Sequence, residues 1–443
     1  MPSALIFPQG FLWGISTSGY QFEGQNSHSQ WTDWEEMGRI KTGERSGLAC
    51  NWWEHAEKDF DLARQLGVNA LRLSVEWSRV EPEPGKWNEE AIHRYRSMLM
   101  ALRQRGILPM VCLHHFTHPR WFEEQGAFLA PNADALFERF SRYVVSSLGD
   151  LCDHWVTFNE PNVYCALAYV FGEHPPGKRG EIRSVVQALT RIAHAHQRAY
   201  EVIHSLQPTA QVGWTTNYLV FQPADENSRL DRMIAALHHN CFNMSFARLL
   251  SHGSLPFPLN LWRSRNGKVQ SCCDFVGVNV YSRVHVKFHL GLASQLFGHL
   301  YIPDHVVQGD PGVQTPFGEI HPQAITAAVE SLHQPGKPIY ILENGVPDRD
   351  DRIRPWLIKN AVREVHQLIQ RGFDVRGYFH WSLLDNFEWS EGWNLRFGLV
   401  SLDPETQERQ LRPSAQLYSA IARANGLVEE EEESTLSSIH AES

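Results

Sequence analysis

Short apolar runs rich in β-branched and aromatic residues alternate along this chain with longer stretches whose apolar positions recur at helical spacing. Residues 11–16, 70–75, 108–113, 155–159, 210–215, 275–281, 338–342 and 375–381 read as strands. Helices are predicted over 52–66, stopped by Gly67, and from the cap residue Asn88 to 105, stopped by Gly106. Further helical periods cover 133–148, 185–206, 228–250, 322–332, 355–371 and 413–424. Strands that alternate with helices must be joined by crossover connections, so the pattern predicts an α/β protein built as a single closed (β/α)8 barrel with long βα loops. No Gly/Pro/Ser-rich linker and no short repeat interrupts it, so residues 1–425 are expected to form one barrel domain. Residues 282–320 have no clean period and are expected to be a lid loop. Gly426 is expected to end the ordered chain, and the run of Glu at 429–433 marks 426–443 as an acidic, disordered tail.

Chemistry concentrates where the strands stop. The fourth run ends in Asn159-Glu160-Pro161, and Pro161 cannot continue a ladder. The seventh ends in Glu343-Asn344-Gly345, so two strands each deliver a carboxylate beside an Asn. Gln21, Arg72, His114, His115, Asn279, Tyr281 and Trp381 fall at or near the ends of other strands, where a barrel of this kind carries its site. Two carboxylates facing one another across a cleft can cleave a glycosidic bond. One protonates the leaving oxygen, while the other attacks the sugar carbon or activates water.

Composition narrows the partners. The formal charge of -10 comes with no basic stripe, which argues against nucleic acid. The seven cysteines are scattered in no Cys-x-x-Cys arrangement and read as reduced packing residues. The first residues lack a basic start and a long apolar core, and no window is apolar enough to span a membrane, so a cytoplasmic setting is expected. A metal hydrolase is the rival suggested by His114, His115 and His118. However, adjacent strand residues face opposite ways, and His194 and His196 are two apart on a helix, so neither set presents two ligands on one face. No metal and no cofactor are expected.

The chain resembles glycoside hydrolase family 1, the β-glucosidase and β-glycosidase family, from about residue 7 to 420. The resemblance is carried by Phe11-Leu12-Trp13-Gly14, Tyr20-Gln21-Phe22-Glu23-Gly24, Thr157-Phe158-Asn159-Glu160-Pro161, Ile341-Leu342-Glu343-Asn344-Gly345 and the run from Trp381 to Trp389. It implies a retaining exo-acting β-glycosidase, a β-glucosidase with β-galactosidase and β-fucosidase activity also open, working on small unphosphorylated β-glycosides or oligosaccharides, with Glu343 as nucleophile and Glu160 as general acid and later base. It further implies that Arg72, Asn279 and Tyr281 support the nucleophile. Gln21, His115, Asn159, Glu388 and Trp389 would bind hydroxyls, with Trp381 as a stacking floor and Phe397 as a nearby wall. Glu160 is expected to hold its proton to higher pH than Glu343, and the Trp381-Ser382 peptide is expected to be cis. Intact Glu160 argues against thioglucosidase relatives, which have Gln there. Glu388, and the absence of a Ser/Lys/Tyr phosphate loop, argue against 6-phospho-β-glycosidases. A non-catalytic sugar-binding barrel is the remaining alternative, and both intact carboxylates speak against it.

Overall fold

The computed structural model describes residues 4–262, 272–304, 306–310 and 318–428. Eight parallel strands close on themselves: β1 Leu12–Ser16, β2 Ala70–Ser74, β3 Leu108–Cys112, β4 His154–Asn159, β5 Gln211–Pro223, β6 Phe275–Phe288, β7 Ile339–Asn344 and β8 Val375–His380. They pair in sequence order, and β8 returns to β1 through the register Gly377 to Leu12 and His380 to Ile15. Among the described residues, eight of the helices alternate with these strands on the outside: α1 Trp52–Gln65, α2 Glu89–Gln104, α3 Ala133–Leu148, α4 Ile182–Leu206, α5 Arg229–His238, α6 Ala324–Leu332, α7 Arg354–Gln370 and α8 Pro413–Ala424. Their limits follow local chemistry. The Asn88 side chain accepts from the backbone of Glu90 and Ala91 to start α2, acidic residues occupy its first turn, and Gly106 takes positive φ just beyond its end. Among the described residues, no helix is long and apolar enough to cross a membrane.

Alternation along the strands divides the core in two. Ala70, Met110, Cys112, Val156, Phe275, Tyr340, Leu342 and Phe379 pack together inside the barrel, while their neighbours Leu71, Val111, Trp155 and Ile341 join the larger core under the helices. The inner layer is filled side chain to side chain, so a Cβ at Gly14 would collide with the ring of Phe379.

Two features differ from the sequence reading. The stretch 282–320 is not a plain loop: β6 runs on to Phe288, alongside a β5 that runs on to Pro223, and Gly298–Tyr301 returns antiparallel against it. Residues 305 and 311–317 of that stretch lie outside the described residues. At the other end, Gly426 does not end the order, because Gly426–Val428 pairs antiparallel with Ala4–Ile6. The acidic run from 429 onward lies outside the described residues.

Candidate active site

Regular alternation would turn a catalytic side chain inward only at every second position, and both carboxylate-bearing strands break register just before their Glu. In β4, Val156 faces the barrel interior, and the Thr157 hydroxyl meets His196 of α4. Phe158 packs against Phe137 of α3 at 4.4 Å between ring centroids. Two consecutive residues thus face outward, and the pairing with β5 shifts between Val156 and Asn159. The shift returns Asn159 to the interior, where its Oδ1 accepts from Arg72 at 3.0 Å. Glu160 follows with φ 48, a left-handed conformation that is costly for a residue with a Cβ. In β7, Leu342 lies in the inner layer, the register with β6 shifts between Ile341 and Glu343, and Glu343 also reaches the interior. Gly345 is required beyond it, since a Cβ there would strike the carbonyl of Trp381.

The two carboxylates have opposite company. Glu343, 3% exposed, is salt-bridged to the fully buried Arg72 and accepts a hydrogen bond from the Tyr281 hydroxyl. Glu160, 6% exposed, accepts from two amides among the described residues: Asn279 Nδ2 at 2.8 Å and Asn217 Nδ2 at 3.1 Å. Burial, followed by the negative charge of Glu343, pushes the Glu160 carboxyl up to about 8, while the two amides pull the other way. Glu388 is likewise raised to about 8, by burial first and then by Glu343.

Arg72, Asn159, Asn279 and His115 tie these groups together. Asn279 Nδ2 also donates to Asn159 Oδ1 at 3.1 Å, and Asn159 Nδ2 donates to His115 Nε2 at 3.1 Å. Asn279 therefore does not support Glu343, as the sequence reading had it; it holds Glu160 and Asn159. Burial, with Arg72 and His114 nearby, holds the His115 imidazole well below its ordinary pKa, so it is neutral. Its ring lies against Trp381 and Trp389, with centroids 6.0 Å away in each case. The neighbouring histidines turn elsewhere: His114 Nε2 lies 3.4 Å from His118 Nδ1, and His118 pairs with Glu123. Among the described residues, no group of three or more His, Cys, Asp and Glu side chains is arranged to hold a metal ion.

Glu160, Glu343, Tyr281, His115, Trp381, Glu388 and Trp389 line one cavity of about 440 Å³. The sequence-predicted Gln21, Asn159, Asn279, Arg72 and Phe397 stand behind that lining. Gln21 Nε2 donates to Asn386 at 2.8 Å and Glu388 at 3.0 Å, fixing the Glu388 carboxyl. Phe397 packs with Tyr281, Trp381 and Leu395. The Trp381-Ser382 peptide is cis. Sequence reasoning missed Asn217, because β5 continues past the point where its apolar run ends. Its signal was parity: Gly213, Thr215 and Asn217 share one face of the strand. Asn386, inside a quoted motif, also went unassigned.

The arrangement places one carboxylate among donors that favour its charge beside another that keeps a proton near neutral pH. The comparisons agree with what such a pair can do. The model of glycosyl hydrolase family 1 matches residues 3–427. Beta-glucosidase A of Thermotoga maritima is 30% identical over 449 residues, covering 95% of this chain and 98% of that protein. A beta-galactosidase of Pyrococcus woesei is 29% identical, covering 97% of this chain and 100% of that protein. Among solved structures, a beta-glycosidase from Pyrococcus horikoshii superposes with a TM-score of 0.87 at 36% identity, over 99% of this chain and 98% of that one. The Thermotoga maritima beta-glucosidase in complex with azafagomine gives 0.89 at 30% identity, over 96% of this chain and 100% of that one.

Proposed function

The chain belongs to glycosyl hydrolase family 1 and is a retaining β-glycosidase, and from that premise we propose that Glu343 is its nucleophile and Glu160 its acid and base. The observation that carries the assignment is the contrast in partners: a guanidinium and a phenol on Glu343, two amides on Glu160. In the first step the Glu343 carboxylate attacks the anomeric carbon while Glu160 gives its proton to the departing oxygen. The C–O bond to the aglycone breaks, and a covalent glycosyl-enzyme forms. Esterification removes the negative charge of Glu343 that helped raise Glu160, so Glu160 becomes a stronger acid after the step. Its carboxylate can then take a proton from the water that releases the sugar with its β configuration retained. Arg72 and Tyr281 orient Glu343, and Asn279 and Asn217 orient Glu160.

The glycone is an unphosphorylated terminal sugar of the glucose, galactose or fucose type, removed one at a time. Glu388, held by Gln21, and the neutral His115 supply hydroxyl partners, and Trp381 and Trp389 supply flat apolar faces. Among the described residues that line the cavity there is no Lys or Arg, so a 6-phosphate would find no cation there. A cytoplasmic setting is supported by the seven cysteines, all buried and all free. The test is hydrolysis of matched aryl β-D-glucoside, β-D-galactoside, β-D-fucoside and 6-phospho-β-D-glucoside, with Glu343→Ala as the blank. Turnover of the first three that vanishes in the variant is expected. Turnover of the phosphosugar alone would overturn the glycone assignment.

A further inference from the structure

The cavity that holds the carboxylates does not end with them. Beyond the polar groups its wall is supplied by other elements: the helical segment after Glu160 (Val163, Leu167, Val170), the first half of α4 (Ile182, Leu189), and the prolonged part of β5 with its neighbours. There Phe221 and Phe242 meet edge to face at 5.9 Å, and Leu300 comes from the antiparallel strand against β6. Leu259 also lines the cavity, and its sequence neighbours Phe257, Leu261 and Trp262 are exposed apolar side chains. Among the described lining residues on these elements, none is Asp, Glu, Lys or Arg. His238, which borders this wall, is pushed down to about 4 by burial and so adds no charge near neutral pH.

Branched aliphatic side chains cannot satisfy sugar hydroxyls, and a second sugar seated among them would lose hydrogen bonds to water without replacement. Hydrocarbon laid along these apolar side chains would instead be removed from water, although Asn162, Asn217, Glu173, Gln295, His299 and Glu391 line other parts of the same cavity. We propose that the leaving-group side of the site is built for a long apolar aglycone, an alkyl or isoprenoid chain bonded to the sugar oxygen. The inference rests on the β-glycosidase reading of the same cavity and adds the class of molecule that reading left open. Continuity is the argument: Glu160, which protonates the leaving oxygen, and Val163 and Leu167, three and seven residues further along the segment it begins, line one and the same space.

The experiment is a series of alkyl β-D-glucosides from methyl to decyl, each below its micelle concentration, beside cellobiose and an aryl β-D-glucoside. KM is expected to fall with each added methylene by about twofold, short of the roughly fourfold that complete burial of a CH₂ gives, with kcat nearly constant. Phe242→Gln and Leu300→Gln, from two separate elements, should each flatten the series at the octyl and decyl members by about tenfold in KM while leaving methyl glucoside, whose aglycone is too short to reach them, unchanged. A KM independent of chain length in the unaltered protein, or cellobiose favoured over octyl glucoside, would overturn the proposal while leaving the β-glycosidase reading intact. Loss of turnover on every member, aryl glucoside included, would overturn both.

Discussion

Glu160 and Glu343 occupy equivalent places, each at the carboxyl end of a barrel strand whose register slips just before it, and they are almost equally buried at 6% and 3%. Burial therefore cannot be what separates their roles. Partner chemistry is. Arg72 and Tyr281 on one carboxylate are donors whose bonds strengthen with negative charge, whereas the neutral amides of Asn217 and Asn279 on the other do not offset its desolvation. In the proposed assignment, one fold position repeated around a barrel gives either a nucleophile or an acid, according to what the two flanking strands contribute.

The sharpest break of this comparison is to remove each carboxylate in turn and read stereochemistry. Glu343→Ala should lose turnover by on the order of 10⁴-fold or more even on activated aryl glucosides, because no covalent intermediate can form. Azide admitted to the space left by Glu343 should restore reaction and give the α-glycosyl azide, since it attacks the β-glycoside from the vacated face. Glu160→Ala should lose about 10²- to 10⁴-fold, mostly on substrates with poor leaving groups that need a proton. Azide there should intercept the glycosyl-enzyme and give the β-glycosyl azide. Exchanged anomers would reverse the assignment.

A milder change tests the partners rather than the carboxylates. Tyr281→Phe removes one donor from Glu343 and leaves Arg72 in place. A hydrogen bond to a charged group is worth about 1.5–3 kcal/mol, so kcat should fall by roughly tenfold to a hundredfold, with little change in thermal stability. An unchanged kcat would mean that Tyr281 only packs against Phe397.

How much of this was legible beforehand depends on the range of the interaction. The strand ends, both Glu and the helices were readable because each is a local pattern, a periodic run stopped by Pro or Gly. The bounds of α3 and α8 coincide with their sequence periods. The prolonged β5 and β6 were not readable. Their outer halves are held by pairing between residues far apart in sequence, Val220 with Arg283 and Val286 with Leu300, and no periodicity within 282–320 announces such partners. That failure hid both Asn217 and the apolar wall. Asn279 was misassigned for a related reason: its main chain pairs with Glu343, but its side chain crosses to Glu160 and Asn159.

The pH dependence sharpens the comparison. With the Glu160 carboxyl raised to about 8, it is protonated below that value, so kcat/KM for an alkyl glucoside should fall as pH rises through about 8. Glu388 is raised to the same region, so Glu388→Gln is the control: an alkaline limb that survives it belongs to Glu160. The same carboxyl affects folding. The unfolded chain releases this proton near pH 4–5, the folded chain only near 8, so the contribution is fully present below the unfolded value and is lost as pH rises through about 8. Glu160→Gln should therefore lose less thermal stability between pH 6 and 9 than the unaltered protein, as parallel melting curves would read.

The smallest effect isolates a single amide. Asn217 Nδ2 donates to Glu160 at 3.1 Å, whereas Asn279 is shared with Asn159 and cannot be removed without disturbing it. The Asn217 bond favours the charged carboxylate and so lowers the Glu160 pKa. Asn217→Ala takes that pull away, and the alkaline limb of kcat/KM should move upward by roughly 0.7 pH unit, if the bond is worth about 1 kcal/mol. Rates at pH 6, where the acid is protonated in either form, should barely change. A limb that moved downward would mean that the Asn217 amide is not acting on the ionised form of Glu160, and that partner chemistry does not set its proton affinity.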